Sequence, residues 1–198
     1  MLRILSVALG ISVAVAGILY YKKAQRQAFV AVQEIQPISD FTLTDHHGES
    51  FQSSELEGQV WVTHFMFTTC QGPCPLMTKK ITKLKDELKE SHPFHLVSIT
   101  MNPDADDEAA LTEYSQRFGG DDNWSLLFGP IESVIDIARQ VFRVPADKDP
   151  NLHSTLFVLM NKELKIHGYY DSQDPERMAE LKQAIQDLNS QSSKDDLS

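Results

Sequence analysis

The hydrophobic pattern along the chain changes period several times, and each change predicts an element. Residues 4–21 are almost all apolar, with Arg3 before them and Lys22, Lys23 and Arg26 after. That run is close to the ~20 residues that cross a bilayer as a helix, so it reads first as a membrane anchor. Ala14-Val15-Ala16 resembles a small-residue cleavage site, which makes a removed signal peptide the rival reading and a buried helix the third. Basic residues at both ends leave the orientation open. Further on, "FTLTDHHGESF" alternates apolar and polar positions around Asp45-His46-His47-Gly48, the pattern of a hairpin. "QVWVTHFMF" (59–67) and "FHLVSITM" (94–101) are apolar on both faces, as buried central strands are. Between them, "PLMTKKITKLKDELKE" (75–90) spaces Leu76, Ile81, Leu84 and Leu88 as the inner stripe of a helix. "DEAALTEYSQRFGG" predicts a helix closed by Gly119 and Gly120, and "WSLLFG" a short strand. "PIESVIDIARQVF" predicts a helix with Pro130 at its first position. "STLFVLM" and "LKIHGYY" form a second hairpin across Asn161-Lys162, and "PERMAELKQAIQDLNS" a last helix.

Helices alternating with buried strands predict an α/β layer architecture. The order is strand, cysteine loop, helix, strand, helix, then a hairpin and a helix. It is the pattern of a thioredoxin-like fold: a central mixed sheet flanked by helices, with an extra N-terminal β-hairpin. The expected organisation is a signal anchor or transmembrane segment at 1–28, a thioredoxin-like domain at 29–190 and a disordered tail at 191–198. The 198 residues, 41% apolar and 23% charged, suit one domain with a proper core plus that N-terminal appendage. Beyond residue 36 the chain holds 14 basic against 27 acidic residues, a net charge of −13. So acidic a domain excludes nucleic acid as a partner, because phosphates demand clustered Lys and Arg.

Charge leaves the chemistry open; the cysteines narrow it. Both lie in "TTCQGPCP" (68–75), as Cys70 and Cys74, where a strand gives way to a helix. Positions four apart on a helix are about one ~5.4 Å pitch apart, within the ~4.4–6.8 Å Cα range of a disulfide. A structural staple, a redox pair and a pair of metal ligands are all compatible with that spacing. A staple over so short a loop removes little unfolded-state entropy. A redox pair gains from the helix N-terminus, whose dipole lowers a thiol's pKa, although three intervening residues depart from the usual oxidoreductase spacing. Metal binding needs a further ligand. Of the seven histidines, His153 is best placed: it stands just before "STLFVLM", in the slot where a thioredoxin fold usually carries a cis-proline packed on the cysteine loop. His64, inside the first core strand, reads as a hydrogen-bonded core residue; His46 and His47 read as turn residues, and His92, His95 and His167 as surface or edge residues. Met66, Met77 and Met101 read as core. Two thiolates and an imidazole favour copper over zinc, since soft donors select Cu(I) and Cu(II) leads the divalent series.

On these residues the chain resembles the SCO/SenC family, copper-binding thioredoxin-like assembly factors for cytochrome c oxidase. The resemblance spans Phe41 to Leu188. Against the family's Phe-Gly-Tyr-Thr-His-Cys-Pro-x-x-Cys-Pro stretch, "FMFTTCQGPCP" keeps Phe65, Thr68, Cys70, Cys74 and Pro75. "NPDADDEAALTEY" keeps Pro103, Asp106, Leu111, Glu113 and Tyr114 of a second segment, and "LHS" keeps the histidine, His153, of a third. The resemblance implies copper ligation by Cys70, Cys74 and His153, and a membrane-tethered domain outside the cytoplasm, in the periplasm if the source is bacterial. It also implies delivery of copper to the oxidase's dinuclear centre, or reduction of that centre's cysteines. Four departures stand out: Thr69 for a histidine, Gln71-Gly72-Pro73 inside the motif, Asn102 and Ala105 for an Asp and an Arg, and Leu152 for the Asp before His153. Outer-shell groups orient ligating imidazoles, so these changes bear on affinity and potential. The alternative function is metal-independent thiol–disulfide reduction by Cys70 and Cys74. A non-catalytic copper or redox sensor is a third. A peroxidase fits less well, because the Pro-x-x-x-Thr-x-x-Cys arrangement of peroxiredoxins is absent: Phe67 stands where its threonine would be.

Overall fold

The computed structural model describes residues 37–195, together with Gly17. The anchor, cleaved-signal and buried-helix readings of residues 1–28 therefore lie outside the described residues. Among those described, no helix is long and apolar enough to cross a membrane.

One seven-stranded mixed sheet organises the rest. In chain order the elements are β1 (Thr42–Asp45), β2 (Ser50–Gln52), β3 (Trp61–Met66), α1 (Cys74–Leu88), β4 (His95–Thr100), α2 (Glu108–Arg117), β5 (Trp124–Phe128), α3 (Ile131–Asp136), β6 (Leu156–Met160), β7 (Ile166–Asp171) and α4 (Pro175–Asp195). The strand order is β2-β1-β5-β4-β3-β6-β7. β3, β4 and β5 are parallel neighbours, with Met66 opposite Thr100, so both strands end at the same edge. β6 runs antiparallel to β3 and β7 antiparallel to β6, which brings the start of β6 to that edge as well. The predicted N-terminal hairpin forms and joins the sheet through β5.

The three parallel strands bury both faces, which is why they read as continuous apolar runs. Val62 and Met66 of β3 pack with α1, α2 and α4, whereas Trp61 and Phe65 face α3 and the N-terminal hairpin. Helix α1 departs from its predicted stripe. Its inner face is Cys74, Met77, Ile81, Leu84 and Leu88, while Leu76 is 65% exposed. Two residues past Cys74 is about 200° round the helix, so once Cys74 is core Leu76 must face out. Pro130 lies just outside α3 as its N-cap rather than at the first helical position. The helix then widens into a π turn over Ile137–Val141. The last hairpin turns through Asn161–Lys165 rather than two residues. There Asn161 Oδ1 accepts from the Glu163 and Lys165 amides, and Leu164 adopts φ 56°.

His64 is fully buried in β3, as a core histidine, with Nε2 3.5 Å from Ser98 Oγ. Burial, reinforced by nearby His153, pushes its imidazole down to about 3. The unfolded chain binds a proton at His64 near pH 6.5 and the folded chain only near 3, so folding stability falls as pH drops through that window. His95, pushed down to about 4 mainly by burial, acts in the same direction. His64→Leu is expected to flatten this acid limb in part, as read by urea denaturation at about pH 7 and about pH 4.5. An unchanged limb would remove His64 from the account.

Candidate metal centre

At the edge where β3 and β4 end, the chain leaves β3 through Phe67 and Thr68 and enters α1 at Cys74. The prolines on either side of Cys74 set this junction. Pro73 is the N-cap and its carbonyl accepts from the Met77 amide at 2.9 Å; Pro75 sits in the first turn, where its missing N–H is not needed. Before the helix, the Cys70 amide donates to the Phe67 carbonyl at 3.3 Å, and the Gly72 amide donates to Cys70 Sγ at 3.4 Å. Both cysteines are free thiols and both are buried.

The third element is the segment that enters β6. A short 3-10 turn, Pro150–Leu152, capped by the Asp149 carboxylate, delivers His153 into extended backbone. His153 Nδ1 lies 2.8 Å from the Ser154 carbonyl oxygen. A carbonyl can only accept, so Nδ1 carries the proton and Nε2 presents its lone pair. That Nε2 is 3.5 Å from Cys74 Sγ. Phe67 meets the imidazole edge-on at 5.9 Å and 87°, closing one side of the site.

The sequence-predicted residues are thus brought together as a chain of neighbours. Cys70 hydrogen-bonds Cys74, and Cys74 meets His153. Among the described residues no group of three such side chains already stands in metal-holding geometry. The donors nonetheless fit a soft ion: two sulfurs and an imidazole nitrogen with its lone pair free. Burial lowers the His153 pKa, which keeps the imidazole neutral, as ligation requires. The expected depression of the thiol pKa at the helix start is not found for Cys74. Its thiol is pushed up to about 12, by burial first and by the hydrogen bond with Cys70 second. Removal from water outweighs the helix dipole here.

Two features around the site gain a role only from the structure. Leu76 and Leu152 are the exposed large apolar side chains among the described residues, at 65% and 61%, and each lies within two positions of a site residue. Asp106 is completely buried beneath the cysteine loop, although Asp104, Asp107 and Glu108 around it are exposed.

With this geometry in view, the SCO1/SenC family model matches residues 31–189. The chain belongs to the SCO1/SenC family. Its relatives include an SCO2-like protein of Rickettsia conorii, 35% identical over 156 residues, covering 72% of this chain and 74% of that one. Among solved structures, it is similar to a SCO1/SenC family lipoprotein of Bacillus anthracis, 31% identical with TM-score 0.71, covering 77% of this chain and 94% of that one. It also resembles BsSco, described through a disulfide switch as a member of the Sco family of cytochrome c oxidase assembly proteins. That similarity is 23% identity and TM-score 0.69, over 78% of this chain and 94% of that one. A third structure, yeast Sco1 with copper bound, is 25% identical with TM-score 0.59, over 70% of this chain and 83% of that one. These likenesses agree with the thioredoxin-like mixed sheet described above. Within this SCO1/SenC chain, the exposed positions that adjoin Cys70 and His153 are Thr69, Gln71 and Leu152.

Proposed function

We propose that this SCO1/SenC protein is a copper metallochaperone: it takes one copper ion as cargo through Cys70, Cys74 and His153 and helps assemble the dinuclear copper centre of cytochrome c oxidase. The observation that carries the reading is the aim of the imidazole. Ser154 ties down Nδ1, and the free Nε2 lone pair points at the Cys74 sulfur from 3.5 Å. Such fixing of the far nitrogen is what orients ligating histidines. Copper-bound yeast Sco1 supports the choice of ion, and the assembly role described for BsSco supports the client. The exposed Leu76 and Leu152 beside the donors suit a protein client better than a free small molecule.

The organisation proposed with it has residues 1–28 as the membrane anchor, 29–190 as the working domain held outside the cytoplasm, in the periplasm of a bacterium, and 191–198 as a tail whose first residues continue α4 to Asp195. A second reading, metal-independent thiol–disulfide reduction, is favoured by one contact: the Gly72 amide donates to Cys70 Sγ.

Titrating Cu(I) into the reduced protein against a competing chelator separates the two. One equivalent is expected to bind tightly, with His153→Ala weakening it by at least the about 10- to 100-fold that disturbing a ligand's surroundings alone costs. Binding unaffected by His153→Ala would remove the imidazole from the site. Disulfide exchange at full rate in a protein that binds no copper would favour the reductase.

A further inference from the structure

We propose that Asp106 is a positioning residue for the cysteine loop, holding its root against the sheet so that Cys70 stays opposed to Cys74. As applied to copper the proposal rests on the reading above; as applied to the thiols it does not.

The argument starts from burial. A carboxylate removed from water is costly unless hydrogen bonds replace hydration, and Asp106 is fully buried. Its replacement bonds have two destinations. Oδ2 accepts from the Thr68 amide at 3.0 Å, and Oδ1 accepts from the Thr68 hydroxyl. Oδ2 also accepts from the Thr100 hydroxyl, and Thr100 Oγ1 accepts from the Asn102 amide at 3.0 Å. Thr100 is the last residue of β4, paired with Met66 of β3 within the sheet and therefore held in place. Thr68 lies beyond the end of β3, two residues before Cys70. The carboxylate thus joins a rigid strand end to the root of a loop, over a sequence separation of 38.

Little else described here restrains that stretch. Between Thr68 and the helix, the loop's other hydrogen bonds among the described residues are the 3.3 Å Cys70 amide contact with Phe67, the weak Gly72 contact with sulfur, the thiol contact of Cys70 with Cys74, and the Pro73 carbonyl at the helix start. Bonds to an ionised acceptor are roughly twice as strong as neutral ones, so the two that reach Thr68 dominate the hold on the loop. Cys74, by contrast, is fixed by its helix and by core packing. Asp106 therefore acts on one thiol of the pair.

The test compares the two arms in the full chain. Thr68→Val removes the hydroxyl bond to the loop; Thr100→Val removes the bond to the strand and leaves the loop arm intact. Asp106→Ala removes both, while Asp106→Asn can still accept from the Thr68 amide and donate to the Thr68 hydroxyl. The readout is the iodoacetamide alkylation rate of Cys70 in reduced, metal-free protein, resolved by peptide mass spectrometry, with Cys74 as internal reference and Cu(I) affinity alongside. Thr68→Val, Thr100→Val and Asp106→Ala each break the tie between strand end and loop and are expected to accelerate Cys70 about ten-fold through easier local opening, with Asp106→Asn within about two-fold of the parent. If Asp106→Ala fails to fold, Thr68→Val alone decides. A Cys70 rate unchanged in Thr68→Val, or a Cys74 rate raised as much as that of Cys70, would overturn the proposal and make Asp106 a general fold staple. Accelerated Cys70 in a family of variants that, like the parent, bind no Cu(I) would leave the positioning role standing and defeat the copper reading.

Discussion

Cys74→Ser is expected to abolish stoichiometric Cu(I) binding by the reduced protein, lowering affinity by at least about a thousand-fold. Serine keeps the shape and can still donate to His153 Nε2, so the fold has little reason to change; what is lost is the soft donor. The position is central because Cys74 is the residue that both Cys70 and His153 approach. On the proposed reading copper displaces a proton from a thiol that burial pushes up to about 12, so binding by the intact protein is expected to release that proton and strengthen with rising pH. Competition titration of the serine variant, with thermal unfolding as the control, checks the expectation. One tightly held equivalent in a folded Cys74→Ser protein would place the ion elsewhere.

The second large effect is on stability. Phe142→Ala is expected to cost about 3–5 kcal/mol, the range for emptying a buried aromatic site. Phe142 is fully buried and meets three rings edge-on: Phe41 at 5.6 Å, Trp61 at 6.0 Å and Phe65 at 5.9 Å. It ties the N-terminal hairpin and β3 to the π turn on the α3 side of the sheet. It also opens the segment that ends at His153: its carbonyl accepts from the Tyr169 hydroxyl at 3.0 Å, and Arg143 follows with φ 55°. Urea denaturation should show the loss directly, together with weaker copper binding as His153 loses its footing. A change below about 1 kcal/mol would mean that the surrounding aromatic cluster collapses into the gap.

The strands were legible because a sheet covered on both faces writes itself as unbroken apolar runs, and "QVWVTHFMF" and "FHLVSITM" could hardly be anything else. The α1 stripe was less so. Leu76 looks like a core residue until Cys74 and Met77 take the inner face, and composition treats a cysteine in a prolyl loop as chemistry rather than as packing. His153 was found through its slot before a strand, whereas its contact with Cys74 spans 79 residues and no periodicity encodes it. Asp106 was visible as a matched position without a task. In "NPDADDEAALTEY" nothing local separates the one buried acid from its exposed neighbours; only the ends of two adjacent strands do. The rise of the Cys74 pKa was hidden for a similar reason, since helix position can be read from sequence and depth cannot.

The separation of 79 residues between Cys74 and His153 has a temporal side. Both thiols emerge early in synthesis, and the imidazole joins them only after β6 has threaded back antiparallel along β3. Until then the nascent chain is an unguarded dithiol, open to oxidants and to any thiophilic ion. On the proposed reading, discrimination among metals is a property the polypeptide acquires at the close of folding, so a truncated or misfolded copy would still scavenge ions but have no imidazole with which to select them.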